Sequence, residues 1–193
     1  MNENKLSQIK QFALSKSQKN DIHGFEHVMR VYKTVLELGN NLGADLNILK
    51  VSALLHDIGR TTEKKDGQNH AEISAKLARQ YLSDNSLNLG NDFINEVFHA
   101  ISAHSFSNNI LAETLEAQIL SDADKLDALG AIGLYRTIGF TIENDGDLND
   151  VIAHLTNKIL KLGETLYLDH SKSIAEGRMK IVRNFYEEIR KEI

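Results

Sequence analysis

The chain has 193 residues, of which 41% are hydrophobic and 25% are charged, and its formal net charge is −5. Length and composition are those of one ordinary globular domain, and the acidic balance does not favour nonspecific binding to duplex nucleic acid. The absence of cysteine excludes disulfides, thiolate metal ligands and cysteine nucleophiles, so any bound metal must be held by histidine and carboxylate side chains.

Helices are the expected secondary structure throughout, because proline is absent and Leu, Ala, Ile, Lys and Glu are frequent. Helical spacing of apolar residues predicts helices over about 3–18, 22–42, 45–57, 70–82, 92–104, 111–129, 130–140, 150–167 and 171–191. The polar stretches 59–69, 83–90, 105–109 and 141–149 are predicted to be loops. Caps are predicted at Asn20-Asp21 and at Asp45.

We therefore predict an all-α protein with a single domain over residues 1–193, a core at about 20–130 and C-terminal helices at about 150–191. The first ten residues are polar, without an apolar signal region, and no apolar run approaches the ~20 residues of a membrane span. We expect a cytoplasmic protein that does not bind membranes. The sequence is also compatible with a homodimer.

The most informative stretch is the apolar run Val51–Leu55 followed by His56 and Asp57. A buried charge is costly unless it is paired or bound to a metal, so the doublet is a candidate for metal binding. Adjacent helical residues diverge by about 100°, but both side chains can still reach one ion where a helix frays. The alternative is a helix-terminal Asp57 paired with Arg60.

Two further elements offer ligands for the same ion. His23 and His27 are four residues apart and are predicted to share a helix face, with His27 beside the apolar stripe. Asp124 and Asp127 are predicted to share a face of a later helix, which makes Asp124 a candidate ligand. Asp122 points about 160° away from Asp124 on that helix and is predicted to be a solvated charge.

The sequence resembles the HD-domain metal-dependent phosphohydrolases over about residues 20–190. The order His27, His56-Asp57, Asp124 matches the H…HD…D signature of that family, and so do the surrounding words. These words are His-Gly-Phe-Glu-His-Val-Met-Arg-Val at 23–31, Ala-Leu-Leu-His-Asp-Ile-Gly-Arg at 53–60, and Asp-Ala-Asp-Lys-Leu-Asp-Ala-Leu-Gly-Ala-Ile-Gly at 122–133. Within that family, the sequence resembles the small stand-alone bacterial HD-domain hydrolases.

The resemblance implies a single-domain HD-type helical bundle that holds one divalent ion, which could be Mn, Mg, Co, Ni, Fe or Zn. Its protein ligands would be His27, His56, Asp57 and Asp124, and the other positions would take water and a phosphate oxygen. Asp57 would also orient the attacking water. The expected reaction is hydrolysis of a phosphoanhydride or phosphomonoester, most naturally of a nucleotide or deoxynucleotide.

Other residues are predicted to contact the phosphorylated substrate or to transfer protons. Glu63, six residues after Asp57, is a candidate general acid or base, and His104 is a second catalytic candidate. The predicted substrate-binding residues are His23, Arg60, His70, Lys125, Asp127, Arg136, Lys172 and Arg178. His99 is predicted to be structural.

His70 and His104 could instead bind a second ion, as extra histidines do in some HD-type enzymes, and a two-metal phosphodiesterase is the alternative activity. The cyclic-dinucleotide phosphodiesterases carry a His-His pair and a Gly-Tyr-Pro word that this proline-free sequence lacks. We therefore favour one ion, with both histidines facing the phosphate as donors. A nucleotide- or metal-binding sensor without turnover, and a helical scaffold with incidental histidines, are the rival functions.

Overall fold

The computed structural model describes residues 1–20, 22–61, 69–84 and 87–193. These ranges contain nine α-helices and one 3₁₀ helix, and within them no β-strand forms, so the all-α prediction is confirmed. The elements are α1 Glu3–Lys16, α2 Phe25–Leu42, α3 Leu46–Leu55, α4 His70–Leu82, α5 Asn91–Ala103, α6 Leu115–Asp127, α7 Gly130–Glu143, α8 Leu148–Asn157, the 3₁₀ helix Ile159–Thr165 and α9 Asp169–Glu192.

The helices form two compact units, Met1–Ser121 and Asp122–Ile193, and the boundary between them falls inside α6. A single domain over residues 1–193 therefore stays a prediction. No helix in the described ranges is both long and apolar enough to cross a membrane.

In the first unit, α3 is the central helix and packs against α1, α2, α4 and α5. Its sequence is apolar on nearly every face, which is typical of a helix enclosed by neighbours rather than lying on a surface. Seven of its ten residues are buried, including Leu54 and Leu55 in its last turn. The residues that directly follow α3 in the chain therefore lie in the interior of the unit.

The ends of α2 and α3 follow simple capping rules. The Asp45 side chain accepts hydrogen bonds from the backbone N–H groups of Asn47 and Ile48, at 2.7 and 3.3 Å, as predicted. Gly43, with φ of +70°, ends α2. Of the predicted cap at Asn20-Asp21, Asp21 lies outside the described residues. Asn20 does not cap α2, because α2 begins at Phe25 and Asn20 Oδ1 instead accepts from His23 N in the preceding turn at 3.1 Å.

The second unit has its own core, formed by α7, α8, α9, the 3₁₀ helix and the end of α6. Within it, α9 packs on α7 and the 3₁₀ helix, and α8 packs on the same two elements. The helix predicted over 150–167 is divided at Lys158, where the backbone leaves helical geometry. The core side chains are Leu126, Leu129, Leu134, Val151, Leu155, Ile159, Leu162, Leu166, Ala175, Met179 and Val182.

Candidate metal centre

His56 and Asp57 lie in the tight turn that follows α3, beneath the surface of the first unit. The His56 side chain is fully buried, and Asp57 is 6% exposed. The apolar run before the doublet explains this position, because burying that run draws the end of the helix inward. The expectation that the doublet is buried is met, and its charge needs a partner there.

One oxygen of the Asp57 carboxylate faces two histidines. Asp57 Oδ2 lies 3.5 Å from His27 Nε2 and 3.6 Å from His56 Nε2. The two Nε2 atoms are 3.2 Å apart. Atoms that each lie about 2.1 Å from one ion are themselves about 3–4 Å apart, so these three atoms fit the first coordination shell of a divalent metal.

The other oxygen of the same carboxylate faces a second pair of histidines. Asp57 Oδ1 lies 3.7 Å from His70 Nε2 and 3.7 Å from His104 Nε2. His70 is the first residue of α4, and His104 follows the last residue of α5. In the described part of the chain, two buried three-residue groups with metal-ligand spacing therefore share Asp57: His27, His56 and Asp57, and Asp57, His70 and His104.

Backbone carbonyls select which ring nitrogen of two histidines faces the carboxylate. His56 Nδ1 lies 2.8 Å from Ala53 O, and His104 Nδ1 lies 2.6 Å from Ile101 O. A carbonyl oxygen can only accept, so each Nδ1 carries the proton and donates it. In the neutral ring Nε2 then has a lone pair, which is the arrangement of metal-bound histidines.

This assignment changes how His104 can act. As a neutral imidazole its Nε2 accepts a proton or binds a cation, and only the imidazolium form could donate from Nε2. The predicted role of His104 as a donor to phosphate therefore requires the charged form, whereas a ligand role does not.

Arg60 supplies a positive charge next to Asp57. Its Nε donates to Asp57 Oδ2 at 2.6 Å, which is the ion pair considered from the sequence. Burial by itself raises the pKa of the Asp57 carboxyl, but the Arg60 guanidinium and the neighbouring histidines outweigh it and hold that pKa well below its usual range. Asp57 is therefore a carboxylate at neutral pH.

The cluster contains buried polar atoms that lack the partners such atoms normally have. Among the residues that the structure describes, Asp57 Oδ1 and His104 Nε2 have no hydrogen-bond partner. Leaving such groups unsatisfied costs roughly 1–3 kcal/mol each. A divalent cation bound between these two atoms would satisfy both of them. The histidine and carboxylate donors therefore fit a metal that is bound by nitrogen and oxygen ligands.

The remaining predicted residues of the first unit have different positions. His23 precedes α2 instead of sharing its helix face with His27, because the helix begins at Phe25; the two rings nevertheless meet edge to face at 6.4 Å. Glu63 lies outside the described residues. His99, predicted to be structural, accepts from the backbone N–H of Glu113 through Nε2 at 3.1 Å.

In the second unit, several predicted substrate-binding cations already have protein partners. Arg136 pairs with Asp127 at 2.9 Å with both side chains buried, and Lys125 Nζ donates to Thr165 O at 2.8 Å. Arg178 donates to the Leu126 carbonyl at 2.6 Å, and exposed Lys172 pairs with Asp169 at 3.0 Å. Asp124 is half-buried on α6. Its ligand role and these substrate roles stay predictions.

Asp122 is not a solvated charge, so that prediction is wrong. Its side chain has no solvent exposure, and its two oxygens accept the backbone N–H groups of Tyr167 and Leu168, each at 2.9 Å. Burial raises the pKa of the Asp122 carboxyl, while these two donors oppose that change. Helical phase alone missed this contact because it could not show that residues 167–168 cover that face of α6.

The fold and the site define an all-α protein with a buried histidine–carboxylate centre suited to a divalent metal. The family model of the HD domain matches residues 24–129, and the chain belongs to that family. Family membership supports a metal-dependent phosphohydrolase in general.

Three relatives extend this similarity over almost the whole chain. The uncharacterized protein YpgQ of Bacillus subtilis is 28% identical over 179 residues, covering 89% of this chain and 84% of YpgQ. A crystal structure from Lactobacillus plantarum aligns with a TM-score of 0.82 at 28% identity, covering 100% and 98% of the two chains. An HD-superfamily hydrolase from Bacillus thuringiensis gives 0.73 at 26% identity, with coverage of 98% and 97%.

YpgQ has also been crystallised in complex with ADP. That structure aligns with this chain with a TM-score of 0.77 at 26% identity and covers 97% of each chain.

Proposed function

We propose that this protein is a divalent-metal-dependent phosphohydrolase that acts on a nucleotide or deoxynucleotide. The observation that carries the proposal is the buried Asp57 carboxylate, which faces His27 and His56 with one oxygen and His70 and His104 with the other. Purely structural packing offers no reason to assemble four histidines around one buried carboxylate.

In this proposal His27, His56 and Asp57 hold the ion, and Asp124 is the fourth ligand that the family resemblance implies. A bound divalent ion would neutralise charge on phosphate oxygens and favour deprotonation of the attacking water. Hydrolysis forms a bond from water oxygen to phosphorus and breaks the bond to the leaving oxygen, which takes up a proton. Asp57 orients the water, and Glu63 or His104 is proposed to transfer protons.

A nucleotide is the proposed substrate class. The ADP complex of YpgQ supports it, since that relative aligns over 97% of this chain. The predicted phosphate contacts are His23, Arg60, His70, Lys125, Asp127, Arg136, Lys172 and Arg178. Of these, Arg60 would have to bind phosphate while its Nε remains 2.6 Å from Asp57, or to exchange one anion for the other.

A two-ion centre is the second candidate, and one observation favours it. Asp57 presents different oxygens to the two histidine pairs, so one carboxylate could contribute a ligand atom to each of two ions. The second ion would lie among Asp57, His70 and His104. Such a centre would also suit hydrolysis of a phosphodiester.

The test is a panel of nucleoside mono-, di- and triphosphates and phosphodiesters, assayed with Mn²⁺, Mg²⁺, Co²⁺ or Ni²⁺. Replacing His56 or Asp57 by alanine is expected to abolish metal binding and turnover together. His99→Ala is the matched control, because His99 belongs to the same unit but bonds to the Glu113 backbone and not to Asp57. It should retain both properties.

Several outcomes would contradict the proposal. Turnover in metal-free buffer would remove the metal from the mechanism. Saturable nucleotide binding without product would support a sensor instead of an enzyme. Untagged protein that contains no metal and binds none when metal is supplied would support the scaffold interpretation.

A further inference from the structure

Ser74, which no sequence motif marks, connects the two segments that carry Asp57 and His70. Its Oγ accepts the backbone N–H of Gly59 at 2.9 Å, and the serine is fully buried. Gly59 lies two residues after Asp57. Ser74 lies four residues after His70, one helical turn along the same face of α4. The hydrogen bond therefore joins the turn that carries one ligand to the helix that carries another.

The contact is close enough to require glycine. A Cβ added at Gly59 would lie 2.7 Å from Ser74 N, 2.9 Å from His70 O and 2.9 Å from Ile73 Cβ. Two of these neighbours are backbone atoms at the start of α4, which cannot move without shifting the helix. Gly59 and Ser74 together fix the distance between the backbone of the Asp57 turn and the backbone of His70.

We infer that Ser74 is a positioning residue for the donor group formed by Asp57, His70 and His104. It holds His70 Nε2 at its 3.7 Å separation from Asp57 Oδ1, and so it sets the affinity of that group for a divalent ion. The inference rests on the two-ion candidate of the proposed function and deepens it. The first donor group contains no residue of α4, because His27 lies on α2 and His56 directly follows α3.

The test compares Ser74→Ala with Ser52→Ala by titrating Mn²⁺ into each full-length protein. Ser52 is the matched control, because it is also a fully buried helical serine of the first unit, but its Oγ donates within α3, to Ile48 O at 2.8 Å and Leu49 O at 3.3 Å. Calorimetry resolves successive binding steps. Electron paramagnetic resonance detects the magnetic coupling of two Mn²⁺ ions that share a carboxylate.

Wild-type protein is expected to bind two ions in distinguishable steps. Ser74→Ala should weaken the second step by about 10-fold or more, as is typical when a residue that orients a ligand is removed, and should lose the coupled signal. Ser52→Ala should retain both steps. Ser74→Cys keeps a weaker acceptor and should give an intermediate affinity, which preserves the test if the alanine variant does not fold.

Equal second-step affinities for Ser74→Ala and Ser52→Ala would overturn the inference, as would a wild-type protein that binds only one ion. Neither result touches the proposed phosphohydrolase, which needs only the first step. Wild-type protein that binds no Mn²⁺ ion at all would instead refute the proposed function itself.

Discussion

At the scale of single residues, hydrogen bonds to backbone carbonyls orient two of the candidate ligands. His56 and His104 each follow the last residue of a helix, and each ring donates through Nδ1 to a carbonyl three residues earlier in its own chain, Ala53 O or Ile101 O. The helix end thus supplies the acceptor that fixes the tautomer, because its last carbonyls have no partner within the helix. The same local geometry prepares Nε2 of both rings as candidate ligands, with His56 facing Asp57 Oδ2 and His104 facing Asp57 Oδ1.

Residue-scale electrostatics also gives a prediction away from the metal centre, at His154 of α8. Burial, with a smaller contribution from the Lys158 charge, lowers the pKa of His154 below its ordinary value of 6.5. The unfolded chain then binds more protons than the folded chain below about pH 6.5, so the stability associated with neutral His154 is present above that pH and is lost as the pH falls.

His154→Gln should therefore show a shallower decrease in the free energy of unfolding between about pH 6.5 and 5 than the wild type, in urea titrations performed at a series of pH values. Comparing the two proteins cancels the contribution of the histidines around Asp57. Parallel curves for variant and wild type would contradict the assigned direction of the pKa change.

At the scale of elements, aspartate side chains satisfy backbone N–H donors at helix ends and between segments. Asp122 and Asp147 each accept two backbone N–H groups in the second unit. Asp147 caps its own helix, α8, through the N–H groups of Asn149 and Asp150. Asp122 instead binds the chain just before α9, 45 and 46 residues later in the sequence.

Replacing these two aspartates by alanine should have unequal effects on stability. Asp122→Ala leaves two N–H groups without their acceptor at a buried position and should lower the free energy of unfolding by about 3 kcal/mol. Asp147→Ala removes an exposed cap and should lower it by about 1 kcal/mol. Urea unfolding of both variants measures the difference. Equal losses would show that the Asp122 contacts contribute no more than an ordinary helix cap.

For the whole molecule, the metal centre and the fold should stabilise each other. The two groups of candidate ligands lie on α2, in the turn after α3, and at the ends of α4 and α5, so an ion bound by either group would connect separate segments of the first unit. Such a ligand binds the folded chain far better than the unfolded one, and its binding free energy adds to stability.

Mn²⁺ at about 100 times its dissociation constant should raise the free energy of unfolding by about 2.7 kcal/mol, and a chelator should reverse the gain. Thermal unfolding followed by circular dichroism measures the effect. His56→Ala should show no such gain, whereas His99→Ala should respond like the wild type. A rise in stability of the same size in His56→Ala would place the stabilising ion elsewhere.

The sequence by itself determined the helical class, most helix positions and the burial of the His56-Asp57 doublet, because these depend on local periodicity and on apolar runs. It failed where distant segments meet. The division of the predicted helix at Lys158, the burial of Asp122 beneath residues 167–168 and the contact between Ser74 and Gly59 all depend on packing between residues far apart in the chain. Only the tertiary structure could decide that Asp57 faces His27 and His56 with one oxygen, and His70 and His104 with the other, because helical phase describes a single helix and not its neighbours.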